Sequence, residues 1–291
     1  MWYTADFKDY ELLDASDGNR LERWKNVILI RPDPQVIWKN PNPHALWGSP
    51  DAVYVRSSKG GGSWDLKTLS KDDMEKGWVI KRKDLSFLVR PTGFKHTGVF
   101  PEQAVNWDFI TEKIKSANRR VSVLNLFAYT GGATLACAKA GAAVCHVDAS
   151  KGIVSWAKEN ARLSNLENAP IRYIVDDCKK FMEREIRRGN KYDAVIMDPP
   201  SYGRGPGGEI WKLEDGIDEL IRLAGALLSD TPLFMLVNSY TTGLSASSVG
   251  YLLDLHIKKT RGGKVSSDEI GLYVTQTGSI LPSGSSSRWE K

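Results

Sequence analysis

The sequence predicts an α/β protein: a doubly wound, mostly parallel sheet of seven strands behind a small N-terminal β-rich domain. Three observations carry that expectation. From about residue 105 onward, short apolar runs alternate with helix-period segments, the pattern of parallel strands joined by right-handed crossovers. Within that series, residues 121–148 read as a strand, a glycine loop, a helix and a second strand closed by the carboxylate of Asp148. Before residue 90 the texture differs, because β-rich pieces alternate there with Pro, Gly and Asn turn signals. At 291 residues the chain can bury a substantial core. A division into an accessory or substrate domain, residues 1–91, and a main domain, residues 92–291, is expected.

In the first domain, strands are expected over 26–30, 35–38, 52–56 and 77–81, with turns at 31–34, 40–43 and 60–62. Six tryptophans fall here: Trp2, Trp24, Trp38, Trp47, Trp64 and Trp78. Indole rings can stack on unpaired bases, and Lys81, Arg82 and Lys83 can meet phosphates. The same rings can fill a small core, which their large apolar area favours. The bridge 92–103, dense in Gly, Thr, Pro and Gln, suits either an ordered loop contacting something polar or a plain linker into a helix over 105–116. His96 has no partner acid at useful spacing, which argues against a catalytic role.

The main domain then runs in order. A strand over 121–127 is apolar on both faces. A loop of small and turn-forming residues, 128–132, leads into a helix over 133–140 that Gly141 closes. A strand over 143–147 ends on Asp148. Helix 151–164, strand 171–175 ending at Asp176-Asp177-Cys178, and helix 179–188 follow. Strand 192–197 ends in Asp198-Pro199-Pro200-Ser201-Tyr202. Helix 214–229, strand 233–238, helix 246–259 and a closing β region over 264–281 complete the series. Its last two pieces, 271–275 and 279–281, lie too close for an intervening helix and suggest an antiparallel hairpin at the sheet edge. The serine-rich tail 283–288 is expected to be mobile, and 203–208 a flexible loop beside the site.

Composition narrows the setting. A hydrophobic fraction of 41% with 26% charged residues is ordinary for a globular protein, and no apolar run approaches a membrane span. The first residues lack a signal-peptide pattern. The three cysteines, Cys137, Cys145 and Cys178, form no C-x-x-C pair, so neither disulfides nor a zinc site is expected and a cytoplasmic location is. A net charge of +5 permits a nucleic-acid partner without demanding one.

The expected chemistry sits where the strands end. In a parallel sheet these ends share one edge, beside free N–H groups of a helix N-terminus. The loop lacks G-x-G-x-x-G, so a dinucleotide is a poor match. An acid about 20 residues downstream still suits a ribose diol. S-adenosylmethionine (SAM) has such a ribose, no phosphate, and a sulfonium that carboxylates attract. Asp176 or Asp177 can accept from an adenine amino group, with the Cys178 N–H beside it, or can cap the following helix. The two prolines after Asp198 fix the turn and leave acceptors at its strand end. Such acceptors can orient an amine or ring nitrogen toward a sulfonium methyl, with Tyr202 stacking on a base. Methyl transfer is a direct displacement, for which positioning supplies most of the acceleration.

Residues 124–132 (Leu-Asn-Leu-Phe-Ala-Tyr-Thr-Gly-Gly), the strand end at Asp148, Asp177 and the Asp198–Tyr202 motif resemble class I SAM-dependent methyltransferases. More narrowly, they resemble the bacterial large-subunit ribosomal RNA methyltransferases that modify cytosine C5 or guanine N7. The bridge over 96–103 is similar to that group's segment packing against SAM, which implies Thr97, Phe100 and Gln103 at the cofactor. The resemblance further implies that Phe127, Tyr129, Thr130 and Gly131 flank the methionine moiety. It places Asp148 on the ribose, Asp177 and Cys178 on the adenine, and Asp198 with Pro199 on the methyl-transfer side. Asn125 stands where the family often has Asp and keeps a hydrogen-bonding group. There are departures: no RNA-binding PUA domain is evident, and residues 237–241, Val-Asn-Ser-Tyr-Thr, lack the cysteine nucleophile of the cytosine-C5 enzymes. The expected function is methyl transfer from SAM to a base of ribosomal or other structured RNA, at nitrogen or oxygen. A protein or small-molecule methyltransferase, or a silent RNA-binding module of the same fold, is the alternative, and monomer and homodimer both stay open.

Overall fold

The computed structural model describes residues 1–57, 61–204 and 210–291; part of the expected 60–62 turn and of the expected 203–208 loop lies outside them. The chain forms two compact units. One comprises Trp2–Val105 and Gly271–Ser283, the other Met1, Asn106–Ile270 and Gly284–Lys291.

The first unit is built on a five-stranded sheet in the order β1 (Tyr10–Ser16), β2 (Asn19–Trp24), β3 (Val27–Pro32), β4 (Ala52–Arg56), β5 (Gly62–Leu66). A short helix α1 (Lys71–Lys76) and a hairpin of β6 (Trp78–Arg82) and β7 (Leu85–Val89) follow. Asp17-Gly18 joins β1 to β2 with φ of 49° and 73°, a two-residue turn of the kind that Asp-Gly favours because both positions are left-handed. The expected strand over 35–38 does not form. Its carbonyls instead accept from that turn, Gly18 N to Val36 O at 2.9 Å and Asp17 N to Trp38 O at 2.8 Å. The tryptophans serve the unit's own structure. Trp24 is fully buried. The indole N–H groups of Trp38, Trp47, Trp64 and Trp78 donate to Ala15 O, Asp14 Oδ2, Thr92 O and Trp24 O, all within 2.8–3.0 Å. The bridge folds back on itself, with Arg90 N donating to Thr97 O and Thr92 N to His96 O, before a 3₁₀ turn over Pro101–Gln103.

The second unit begins with α2 (Ala104–Ser116), whose first two residues group with the other unit, and alternates as expected: β8 (Ser122–Leu126), α3 (Gly132–Lys139), β9 (Ala143–Asp148), α4 (Lys151–Leu163), β10 (Ile171–Val175), α5 (Cys178–Arg187), β11 (Ala194–Met197). Two short strands, β12 (Tyr202–Arg204) and β13 (Ile210–Lys212), pair with each other before α6 (Leu213–Ala226), β14 (Phe234–Ser239) and α7 (Ala246–Leu253). The chain widens into one π turn over Asp254–Lys258, ends that helix in α8 (Lys259–Arg261), and closes with β15 (Lys264–Tyr273) and β16 (Ile280–Glu290). The seven-stranded order is β10-β9-β8-β11-β14-β16-β15, parallel from β10 to β14 and antiparallel where β14 meets β16. Strand side chains alternate between the two helical layers. Leu124, Leu126, Val147, Met197 and Met235 pack with Phe181, Leu220 and Ile221 of α5 and α6 into one continuous core.

One expectation is overturned. Residues 283–288, expected to be mobile, form most of β16 and lie inside the sheet between β14 and β15. No apolar run marks them, because their burial is bought by hydrogen bonds rather than by hydrophobicity. Ser286 Oγ donates to Asn238 Oδ1 (2.9 Å), Arg288 Nη2 donates to Asn106 Oδ1 (2.6 Å), and Ser267 Oγ donates to Ser287 Oγ (2.9 Å). Trp289 anchors the strand, fully buried, with its indole N–H on Gly262 O.

Candidate active site

The strand order reverses between β8 and β11, and in open α/β sheets the crevice beyond the strand ends at such a point receives the ligand. The loop leaving β8 has an unusual backbone. Phe127, Tyr129 and Gly131 carry φ of 53°, 49° and 92°, and a left-handed residue other than glycine costs of order 1 kcal/mol or more. Neighbouring strands hold it there. Phe127 N donates to Cys178 Sγ (3.2 Å), Ala128 N to Val147 O (3.1 Å) and Tyr129 N to Asp148 Oδ2 (3.0 Å). Asn160 Nδ2 donates to Thr130 O at 2.9 Å. At Gly131 the left-handed backbone favours glycine, and a Cβ there would be tight, 3.1 Å from Leu135 Cδ1 and 3.2 Å from Ala157 Cβ. The first helical hydrogen bond of α3 is Leu135 N to Gly131 O, so the preceding N–H groups face the loop's mouth without an intrahelical partner.

Asp148 is the joint of this arrangement. Its Oδ2 takes the Tyr129 N–H and its Oδ1 the Ser150 N–H at 2.9 Å, which uses one acceptor site on each oxygen and leaves the other for a diol. Asp176 N bonds Asp148 O at 3.1 Å, drawing the β10 end alongside. Of the two roles weighed for the acid pair, the structure shows the capping one. The Asp176 carboxylate pairs with Arg184 and accepts Asp177 N, while Asp177 caps α5 by accepting Lys180 N on Oδ1 (2.8 Å). The second Asp177 oxygen lies outside that cap bond. Beyond β11, Asp198 N reaches Leu126 O at 3.4 Å, Asp198 is half-buried, Pro199 is buried and Tyr202 is 52% exposed. The next carbonyls are engaged: Pro200 O accepts Trp211 Nε1 (2.9 Å) and Ser201 O accepts Leu213 N (3.1 Å).

Hydrogen bonds thus bring Phe127, Tyr129, Asp148 and Cys178 together, with Asp177 and Asp198 on the same strand-end edge. Asn125 points inward. Its Nδ2 donates to Thr134 Oγ1 (2.9 Å), which lies 2.9 Å from His146 Nδ1, all three side chains being buried. Sequence reasoning missed Thr134 and His146. The signal was present, because Asn125 and His146 are cross-strand neighbours once β8 and β9 are parallel. Burial holds the His146 imidazole at about 4, so it is neutral at neutral pH. Thr97, Phe100 and Gln103 belong to the β-rich unit. There Thr97 is fully buried with no hydrogen-bond partner on its hydroxyl among the described residues, Phe100 is tilted against His96 at 5.3 Å, and Gln103 is buried.

The donor set fits an adenosyl sulfonium: carboxylate acceptors at Asp148, Asp177 and Asp198 beside main-chain donors at α3. All three cysteines are buried and burial raises each thiol, away from the thiolate form. Among the described residues no group of three or more His, Cys, Asp or Glu could hold a metal ion, and no helix is long and apolar enough to cross a membrane.

Comparison with known proteins bears on the family and the fold. Residues 62–245 match the family model described as S-adenosylmethionine-dependent methyltransferase. The crystal structure of a SAM-dependent methyltransferase from Agrobacterium tumefaciens superposes with a TM-score of 0.90 at 37% identity, covering 99% of this chain and 92% of that one. The ribosomal RNA large subunit methyltransferase K/L of Shewanella frigidimarina is 32% identical over 158 residues, which are 53% of this chain and 21% of that protein. The protein of the same name from Syntrophotalea carbinolica is 30% identical over 188 residues, 64% of this chain and 25% of its own length. The chain therefore spans only a fraction of the curated relatives it matches. On the family model and the Agrobacterium likeness together, the chain belongs to the S-adenosylmethionine-dependent methyltransferase family.

Proposed function

We propose that this chain transfers a methyl group from SAM to a nitrogen or oxygen of a base in ribosomal or another structured RNA. The observation that carries the reading is the tethering of the left-handed β8 loop to Asp148, which builds a donor and acceptor pair for a ribose and methionine moiety on one strand edge. SAM supplies an electrophilic methyl on its sulfonium. The chain's own part is to hold and aim. Asp148 accepts from the ribose diol, Phe127, Tyr129, Thr130 and Gly131 line the methionine side, and Asp177 with the Cys178 N–H faces the adenine. Asp198 and Pro199 orient the acceptor amine or ring nitrogen, and Tyr202 stacks on its base. Residues 1–91 are the proposed accessory domain, and the bridge residues Thr97, Phe100 and Gln103 are proposed cofactor contacts.

The ribosomal RNA names of the Shewanella and Syntrophotalea relatives support an RNA acceptor. The buried thiols and the Ser239-Tyr240-Thr241 sequence at the end of β14 support nitrogen or oxygen over cytosine C5, which needs an attacking thiolate. A cytoplasmic setting accompanies this reading, in keeping with three free cysteines. The test is tritium transfer from labelled SAM to undermodified ribosomal RNA, run beside total cell protein. Label in a nucleoside supports the proposal, label in protein alone moves the acceptor to a side chain, and SAM binding without label in either leaves a silent module.

A further inference from the structure

The edge of the parallel sheet opposite the crevice gathers cations. β8, β9, β10, β11 and β14 all begin on that edge, β16 ends there with Glu290 opposite Phe234, and β15 starts beside it. The segments feeding it are basic: 113–120 before β8, 187–191 before β11, and 258–264 before β15. Four side chains interlock around the loop before β14. Lys191 Nζ donates to Ala226 O (2.6 Å), Arg261 to Ser229 O (2.8 Å) and Leu228 O (3.2 Å), Arg119 to Thr231 O and Lys291 to Arg261 O. These acceptors are neutral carbonyls, so the bonds fix the cations without cancelling their charge. Carboxylates answer only part of it: Asp193 pairs with Arg119 at 3.1 Å, Glu290 with Lys113 at 2.5 Å, Glu185 with Arg188 at 3.0 Å and Asp254 with Lys258 at 2.7 Å. Arg120, Lys259 and Lys264 are exposed and have no carboxylate partner among the described residues. The crevice edge, by contrast, carries Asp148, Asp176, Asp177 and Asp198.

A modest net charge of +5 is therefore placed unevenly, with the positive potential on the edge away from the chemistry. From β8 to β15 the row crosses four inter-strand steps of about 4.8 Å, roughly 19 Å in all, long enough to follow several successive phosphates. We propose that this edge is a second contact surface that holds the phosphate backbone of a structured RNA while the crevice takes the target base. The proposal rests on the RNA reading above, and it adds where the rest of such an RNA is gripped.

The experiment uses the full chain with Arg120→Glu, Lys259→Glu and Lys264→Glu combined, and protein-free large-subunit ribosomal RNA as the probe. Affinity is measured across salt, and SAM binding is followed by calorimetry as the control for folding. The expected result is at least tenfold weaker RNA binding near 0.1 M salt and a log–log salt slope shallower by about two to three, with SAM binding unchanged. Affinity within twofold of the parent with a slope shallower by less than one overturns the proposal, as does a parent chain with no salt-dependent RNA binding. If polyglutamate binding changes in the variant and RNA binding does not, the edge serves an acidic protein and the proposal also falls. The corresponding triple Gln variant replaces the Glu one should the latter lose SAM binding. Tritium transfer stays a separate readout. A parent chain whose RNA binding depends on this edge, but which labels only protein, keeps the edge and loses the RNA substrate.

Discussion

Asp148 and Asp198 stand at the ends of β9 and β11, the two strands that flank β8, and substitution should separate the roles proposed for them. Asp148 accepts one main-chain N–H from the β8 loop, that of Tyr129, and one from its own turn, that of Ser150, so Asp148→Ala removes the proposed ligand contact together with the tether on that loop. A ten- to hundredfold rise in the SAM Kd is expected by calorimetry, in line with about 1.5–3 kcal/mol for hydrogen bonds to a charged group. Asp198→Ala should leave that Kd within a few-fold while kcat falls of order a hundredfold or more, because it disturbs aim rather than cofactor affinity. Unchanged turnover in the Asp198 variant refutes its assigned role. His146 offers a pH test. Its folded-state pKa of about 4 lies below the ordinary histidine value, so the unfolded chain takes up the proton first as pH falls. The stability it protects is whole above about pH 6.5 and drains away down to about pH 4, by roughly 3 kcal/mol. Half-buried His96 is also held at about 4 and adds to the same window. Urea midpoints of the parent and His146→Gln should therefore converge as pH falls from 7 to 4.

Among the elements, β16 has the sharpest consequence. Trp289 is the large apolar anchor of a strand otherwise carried by serines, so Trp289→Ala should cost about 3–5 kcal/mol and lower the cooperative melting transition. A melting temperature within two degrees of the parent would mean the strand is held by its polar contacts alone. The same strand shows what sequence reading can and cannot reach. The β8–α3–β9 unit was legible because apolar runs, a glycine loop and a terminal acid are all local signals. From β8 to β14 the order of the helices and of the main-sheet strands was legible from period alone, while the short β12–β13 pair was not. β16 was not, since serines signal burial only when Asn106, Asn238 and Ser267 are known to face them, and those partners lie far away in sequence. The Asp17-Gly18 turn was an available local cue for β1 and β2. The inward aim of Asn125 and its link to His146 needed the parallel register of β8 and β9. In the acid pair, capping by Asp177 and ion pairing by Asp176 were settled by three-dimensional neighbours rather than by residue type.

At the scale of the whole molecule, the charge distribution sorts the chain's two tasks between opposite ends of one sheet. The triple charge reversal is the measurement that belongs to this scale, since no single lysine should register above the error of a binding curve. Chain order then carries one more implication. β14, whose six residues Phe234–Ser239 are all buried, receives its outer neighbour only from the closing stretch of this sequence. A growing polypeptide that has emerged through β14 but not through β16 leaves that strand's edge N–H and C=O groups unpaired, a template for pairing with another nascent copy. Synthesis therefore passes through a vulnerable interval between the emergence of β14 and that of β16, when chaperone cover over a half-closed sheet should matter most.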